Sequence, residues 1–326
     1  MREITGTMSG RLGCVIVVVF TLIFCWACED RTKVFTIGVA ANPQRDASAL
    51  NGLRQGMAEL GYEEGKNLKY LYEYIMVEDE KVINPKLEAL MKQDIDILFV
   101  MGASGGYVEE LTKGTNLPVL FCGDPDPLKH GSIESLSHPG GNITGVRAVV
   151  SLPKMLEWLT VVKPGLKKVW MPYDPDDPFS FNDVSLAKGA SRQLGIEISF
   201  HEVQSAEEIV ADIKNLPEDV DAIFVNPSRA FLAGIGEIVQ SAIDRRLPIA
   251  SAVESVDTMM MALSTDFFDA GKKTARLANQ IFQGKKPSEL PIETPDAFLT
   301  VNLKSAEKIG LTIPAEVLMA AKKIIR

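Results

Sequence analysis

The residues best suited to chemistry in this chain lie in short loops of small and polar side chains, and their types suit binding rather than bond-breaking. Gly102-Ala103-Ser104-Gly105-Gly106 offers backbone N–H groups and a hydroxyl, a set that favours a carboxylate at the start of a helix. Asp124 is an acceptor for an ammonium or hydroxyl group, and equally a turn-former beside Pro125. Asn226, Ser228 and Arg229 add an amide, a hydroxyl and a guanidinium able to grip a carboxylate with two hydrogen bonds. Tyr173 and Phe179 offer aromatic faces for a flat ligand, with Ser180 beside them. Asn42, Ser251 and Glu254 complete the candidate ligand set. Several have a plainer reading: Ser104 as a helix N-cap, Phe179 as core, Arg229 on an exposed helix face.

Metal-site patterns are absent from the sequence. His130, His138 and His201 have no partner at metal-ligand spacing, and no HExxH, P-loop or CxxC follows residue 28. The expectation is therefore no enzyme, no metal and no cofactor. Met259-Met260-Met261 reads as a buried strand rather than a soft-metal site, because strand alternation sends Met260 to the opposite face. A net charge of -9, with no basic cluster carrying interleaved aromatics, argues against a nucleic-acid partner.

These loops need elements to position them. Apolar runs rich in β-branched residues alternate with helical periodicity from Val34 onward. Strands are expected at 34–41, 67–75, 95–101 and 117–121, with helices at 46–60, 79–92 and 104–113 between them. The alternation restarts near Ser151, with helices at 154–162, 180–194, 206–215 and 229–245 and strands at 167–171, 197–201, 222–225 and 248–252. A helix over 267–283, an extended stretch over 289–301 and terminal helices at 305–308 and 315–325 close the chain. Strand then helix, repeated twice, predicts an α/β fold with two parallel sheets. In such sheets ligands bind at the carboxyl ends of the strands, which is where the loops above fall.

The first 28 residues are a separate unit. Arg2 and Arg11 precede an apolar run from Leu12 to Trp26, and Ala27-Cys28 follows. That run is about 15 residues, short of the ~20 a spanning helix needs, and has the form of a secretory signal. The cysteine after Ala27 makes it similar to a bacterial lipoprotein signal, with Cys28 lipidated; an uncleaved N-terminal anchor is the alternative. Either reading places the remainder outside the inner membrane and tethers it there. Beyond Cys28 only Cys122 remains, so a disulfide framework is not expected.

Six segments stand in a recognisable order: Gln55–Asn67, Asp94–Leu98 leading into Gly102-Ala103-Ser104, Pro139–Val146, Asp266–Gly271, Val301–Ala306 and Gly310–Pro314. In them the chain resembles the solute-binding proteins of ABC transporters, in the family that includes tryptophan- and phenylalanine-binding lipoproteins. Pro139-Gly140-Gly141-Asn142-Ile143-Thr144-Gly145-Val146 is the most diagnostic, although Gly140–Asn142 reads as a structural turn rather than a ligand contact.

The resemblance implies a type I periplasmic-binding-protein fold, with two Rossmann-like lobes joined by three crossing segments. Lobe 1 would hold residues 33–149 and 266–288, and lobe 2 residues 150–265 and 289–326. It implies a monomer that traps a small organic ligand, an amino acid or related carboxylate, and delivers it to an ABC permease with its ATPase. A ligand-sensing module for a separate partner such as a histidine kinase is the alternative. Family members that bind amino acids usually carry an Asp where this chain reads Ser228 and Arg229, which leaves the ligand's identity open.

Overall fold

A computed structural model describes residues 33–75, 80–102, 105–124, 127–128, 133–149, 152–175, 178–226, 228–252 and 259–326. The side chains at 80, 105–107, 178–182 and 229 are outside that description. Of the candidate residues, Cys28, Ala103, Ser104 and Glu254 lie outside the described residues, as do the side chains of Phe179, Ser180 and Arg229.

The first half alternates strand and helix as the apolar pattern predicts: β1 (Phe35–Ala41), α1 (Ala47–Glu59), β2 (Leu68–Tyr74), α2 (Glu80–Met91), β3 (Ile97–Met101), α3 (Gly105–Thr112), β4 (Val119–Asp124) and β5 (Ile143–Arg147). All five strands form one parallel sheet in the order β2-β1-β3-β4-β5. β3 is buried along its whole length, as a central parallel strand between two helical layers must be.

The second half gives α4 (Leu152–Val162), β6 (Lys168–Tyr173), α5 (Pro178–Leu194), β7 (Glu197–Glu202), α6 (Ala206–Lys214), β8 (Ala222–Val225), α7 (Arg229–Ala233), α8 (Ile235–Asp244), β9 (Ile249–Ser251) and β10 (Met261–Thr265). Then follow α9 (Phe267–Phe282), β11 (Ala297–Asn302), α10 (Leu303–Lys308), α11 (Ala315–Ala320) and β12 (Lys323–Ile325). The second sheet runs β12-β11-β10-β9-β8-β6-β7, with only the β10–β11 pair antiparallel.

Each sheet lies between two apolar cores. In lobe 1, Ile37, Val39, Phe99 and Leu120 meet α1 and α9 on one face, while Leu98, Val100 and Phe121 meet α2 and α3 on the other. In lobe 2, Met171, Phe224 and Val301 pack with α4 and α5, and Trp170, Ile223 and Val225 with α6 and α8. The chain returns to lobe 1 to finish it, because α9 covers α1. The two helices touch backbone to backbone: a β-carbon on Gly271 would lie 2.0 Å from the Ala49 carbonyl oxygen, and one on Gly52 2.1 Å from that of Phe268.

Three sequence expectations are corrected. The helix expected over 229–245 is two, broken at Gly234, where a β-carbon would stand 2.3 Å from Ala206 Cβ. The helix expected to run to 325 stops at Ala320, and Lys323–Ile325 pairs parallel with β11 instead. Residues 289–293, expected in lobe 2, pack on lobe 1. Leu290 and Ile292 enter its cores, and Glu293 bridges to Val146.

Candidate functional site

The chain leaves the first sheet at the carboxyl end of β5, and leaves the second at the carboxyl end of β10. The carboxyl edges of both sheets therefore border the crossings. Asn42, Gly102, Gly123 and Asp124 lie on one edge; Tyr173, Asn226 and Ser251 lie on the other. This is the crevice position at which open parallel sheets bind ligands.

On the first wall, Asn42 holds its own loop. Its Oδ1 accepts from Gln44 N at 3.0 Å and Arg45 N at 3.1 Å, and its N–H donates to Asp46 Oδ2 at 2.7 Å. Asp46 in turn takes Arg45 Nε at 2.9 Å. The side-chain carbonyl of Asn42 is thus occupied by the turn. Gly102 sits at φ 70° and Gly123 at φ 90°, both in the left-handed region that glycine tolerates. Through Gly123, β4 runs three residues beyond the expected strand end, so Asp124 is a strand residue, fully buried at the sheet's edge. Its carbonyl accepts from Ala148 N at 3.0 Å, tying the edge of lobe 1 to the first crossing. Cys122, two residues earlier, is no nucleophile, since burial pushes its thiol up to about 12.

Phe267 is a wall residue that the sequence reading did not assign. It is the first residue of α9, and its Cε1 would lie 3.0 Å from a β-carbon placed on Gly123. Met101 Cε and Gly102 N are 3.8 and 3.9 Å from the same point. The ring therefore lies at the carboxyl ends of β3 and β4, and Gly123 has no side chain because the ring occupies that space. The only sequence signal was its place in the Asp266–Gly271 segment.

On the second wall, Tyr173 Oη donates to Glu202 Oε1 at 2.6 Å, and this bond raises the phenol's pKa. Its ring meets Phe200 edge-on at 6.4 Å, which places it on the β6–β7 side. Asn226, Ser228 and Ser251 are buried together along the β8–β9 edge. Ser228 N donates to the Asn226 carbonyl at 2.8 Å, and Ser228 Oγ accepts from Phe231 N at 3.2 Å as the N-cap of α7. A cavity of about 580 Å³ between the starts of α6 and α8 is lined by Ser205, Ala206 and Gly234, and by none of the candidate ligand residues.

Three short crossings join the walls, one entered through Ala148 and Val149, one at Asp266 and one at 294–296. Val149 N donates to Thr265 Oγ1 at 2.9 Å, binding the first to the second. Arg147 Nε donates to Thr294 Oγ1 at 2.9 Å, and Asp266 N to the Asp296 carbonyl at 3.0 Å, binding in the third. Lys322 adds an ion pair to Asp266 at 3.3 Å and to Asp296 at 3.5 Å. Burial opposes its charge, but the two carboxylates outweigh burial and its pKa is raised. Asp266 also caps α9 by accepting from Asp269 N at 3.0 Å, so one residue serves both crossing and helix.

A family model described as ABC transporter substrate binding protein matches residues 36–325. A tyrosine-binding protein of Clostridioides difficile (strain R20291) is 24% identical over 274 residues, covering 82% of this chain and 78% of the relative. Two solved structures share the architecture. One is a Streptococcus pneumonia ABC domain in complex with L-Trp, at TM-score 0.76 and 23% identity, covering 90% of this chain and 100% of that one. The other is a substrate binding protein with adhesive properties from Clostridium difficile, in its ligand-free, open structure. Its TM-score is 0.79 at 20% identity, covering 90% of this chain and 99% of that one.

Proposed function

This chain belongs to the ABC transporter substrate binding protein family, with the two-lobed type I periplasmic-binding-protein fold, and on that premise we propose that it captures an amino acid outside the cytoplasm for an ABC importer. The family is one of binding proteins, not enzymes. The observation that carries the proposal is the pairing of two sheet edges across three short crossings, with polar groups on both and the Phe267 ring on one. Hinged lobes of this kind close on a ligand and present the closed form to a permease.

In this reading the ligand's carboxylate meets the loop from Gly102 into α3 and its ammonium meets Asp124. An aromatic side chain stacks on Phe267. Asp124 then supplies the acid that amino-acid-binding relatives carry at the Ser228–Arg229 loop. The tyrosine-binding relative and the L-Trp complex support an aromatic amino acid as the ligand. The N-terminal signal with Cys28 supports export and tethering by lipid, which radiolabelled fatty acid incorporation, lost in Cys28→Ala, tests.

The binding test is a thermal-shift screen of the chain against the amino acids. A ligand at about a hundredfold its Kd adds about 2.7 kcal/mol to folded-state stability, a shift of several degrees. L-Tyr, L-Trp or L-Phe should produce it, and Asp124→Asn should remove it. A shift from sugars or nucleosides alone overturns the proposal.

A further inference from the structure

β2 is the outer strand of the five-stranded sheet. Phe35 N donates to the Asn67 carbonyl and Ile75 N to the Ala41 carbonyl, so residues 67, 69, 71, 73 and 75 turn their backbone groups toward β1. Leu68, Tyr70, Tyr72 and Tyr74 turn theirs outward. The ends of this edge are engaged: Leu68 exchanges hydrogen bonds with the Glu63–Gly65 turn, and Lys86 Nζ donates to the Tyr74 carbonyl. Between them, the N–H and C=O groups of Tyr70 and Tyr72 have no hydrogen-bond partner among the described residues.

The strand Leu68-Lys69-Tyr70-Leu71-Tyr72-Glu73-Tyr74 is self-complementary about Leu71. Against an antiparallel second copy, Leu71 meets its own counterpart once, on the two-fold axis, while Tyr70 meets Tyr72 and Lys69 meets Glu73 twice each by symmetry. The hydrogen-bond phase agrees with this register. Opposed Tyr70 and Tyr72 would exchange both N–H···O bonds and satisfy every free group between the engaged ends, while Leu71 falls at a non-hydrogen-bonded pair. Lys69 is exposed and Glu73 half-buried, and neither has an ion-pair partner among the described residues.

The opposite face carries the composition of an interface centre. Tyr70, Tyr72 and Tyr74 stand in a row with ring centroids 6.0 Å apart. Arg54 lies 5.8 Å from the Tyr70 ring and 5.4 Å from that of Tyr72, and donates to Tyr72 Oη at 2.6 Å. Tyr70 Oη is buried without a partner.

We propose that the chain self-associates through β2, two copies joining edge to edge in antiparallel two-fold register to continue the sheet. This replaces the expectation of a monomer. The Lys69–Glu73 pairs set the register, since opposite charges across strands attract and like charges repel. The contact is short, so the dimer is weak, with a Kd in the micromolar range.

The test is sedimentation of the full chain in mild detergent across that concentration range. The expected result is a concentration-dependent monomer–dimer equilibrium. Lys69→Glu should weaken it about tenfold or more by setting Glu against Glu in both arms, and Lys69→Glu with Glu73→Lys should restore it. The single variant should melt with the parent, because Lys69 is exposed, so a lost dimer is not a lost fold. A monomer at every concentration, a dimer indifferent to Lys69→Glu, or a double variant that stays dissociated each overturns the proposal.

Discussion

Replacing Gly271 by alanine tests the helix contact that completes lobe 1. A β-carbon there would lie 2.0 Å from the Ala49 carbonyl oxygen and 2.7 Å from Leu53 N. Ordinary heavy-atom contact is roughly 3.5 Å, so α1 and α9 must part by about 1.5 Å. Neither obstacle is a flexible side chain: both are backbone, on a helix whose Ala49, Leu50, Leu53 and Met57 are already buried. Overpacking costs typically about 1–3 kcal/mol, and this site belongs at or above the upper end. The gain in helix propensity returns about 1 kcal/mol, leaving an expected net loss of about 2–3 kcal/mol. Gly189 is the control. It lies within α5, and nothing stands within 4 Å of its added β-carbon. Gly189→Ala should therefore stabilise by about 1 kcal/mol, so the same substitution differs by about 3–4 kcal/mol between two helices. Urea unfolding followed by far-ultraviolet circular dichroism measures both. A Gly271→Ala chain within about 0.5 kcal/mol of the parent refutes the reasoning, because α9 would then move without cost.

Asp221 provides a test in acid. Burial pulls its pKa up, but the N–H groups of Lys167 and Lys168 at 2.8 and 3.1 Å and Lys163 Nζ at 3.4 Å outweigh that and hold it below 3.8. A lowered folded pKa gives stability that is present above 3.8 and lost as pH falls through the folded value. Asp221→Asn should therefore lose stability near neutral pH and show a shallower decline below 3.8; parallel urea midpoints for the two chains would contradict this. Phe267→Ala should weaken an aromatic amino acid about tenfold in calorimetry, and unchanged affinity would remove the ring from the site. Ser228→Ala should cost about 1 kcal/mol of stability as a lost cap and leave affinity within about twofold; a large affinity loss would mean the hydroxyl serves the ligand.

The elements from β1 to β3 were legible to within about two residues because each is long, periodic and closed by its own stop signal. The misses share a cause. Ala315–Ile325 reads as one helix, yet its last residues are drawn into strand by β11, a partner no local pattern announces. The 229–245 helix is interrupted at Gly234, where Ala206, from another helix, packs too close for any side chain. The loops at the carboxyl ends of the strands followed from the alternation alone. Phe267 did not, because its place at the edge depends on α9 crossing back to lobe 1 and resting on Gly123.

The closure of α1 by α9 also sets a schedule. A chain made from its N-terminus has all five strands of the first sheet once Arg147 has emerged, but the helix that covers α1 ends at Phe282, with five of the seven strands of the second sheet between. Until then the side of α1 that meets α9 is uncovered, although its sheet-facing side can already pack on β1 and β3. The first part of the molecule is finished by nearly the last part to be synthesised.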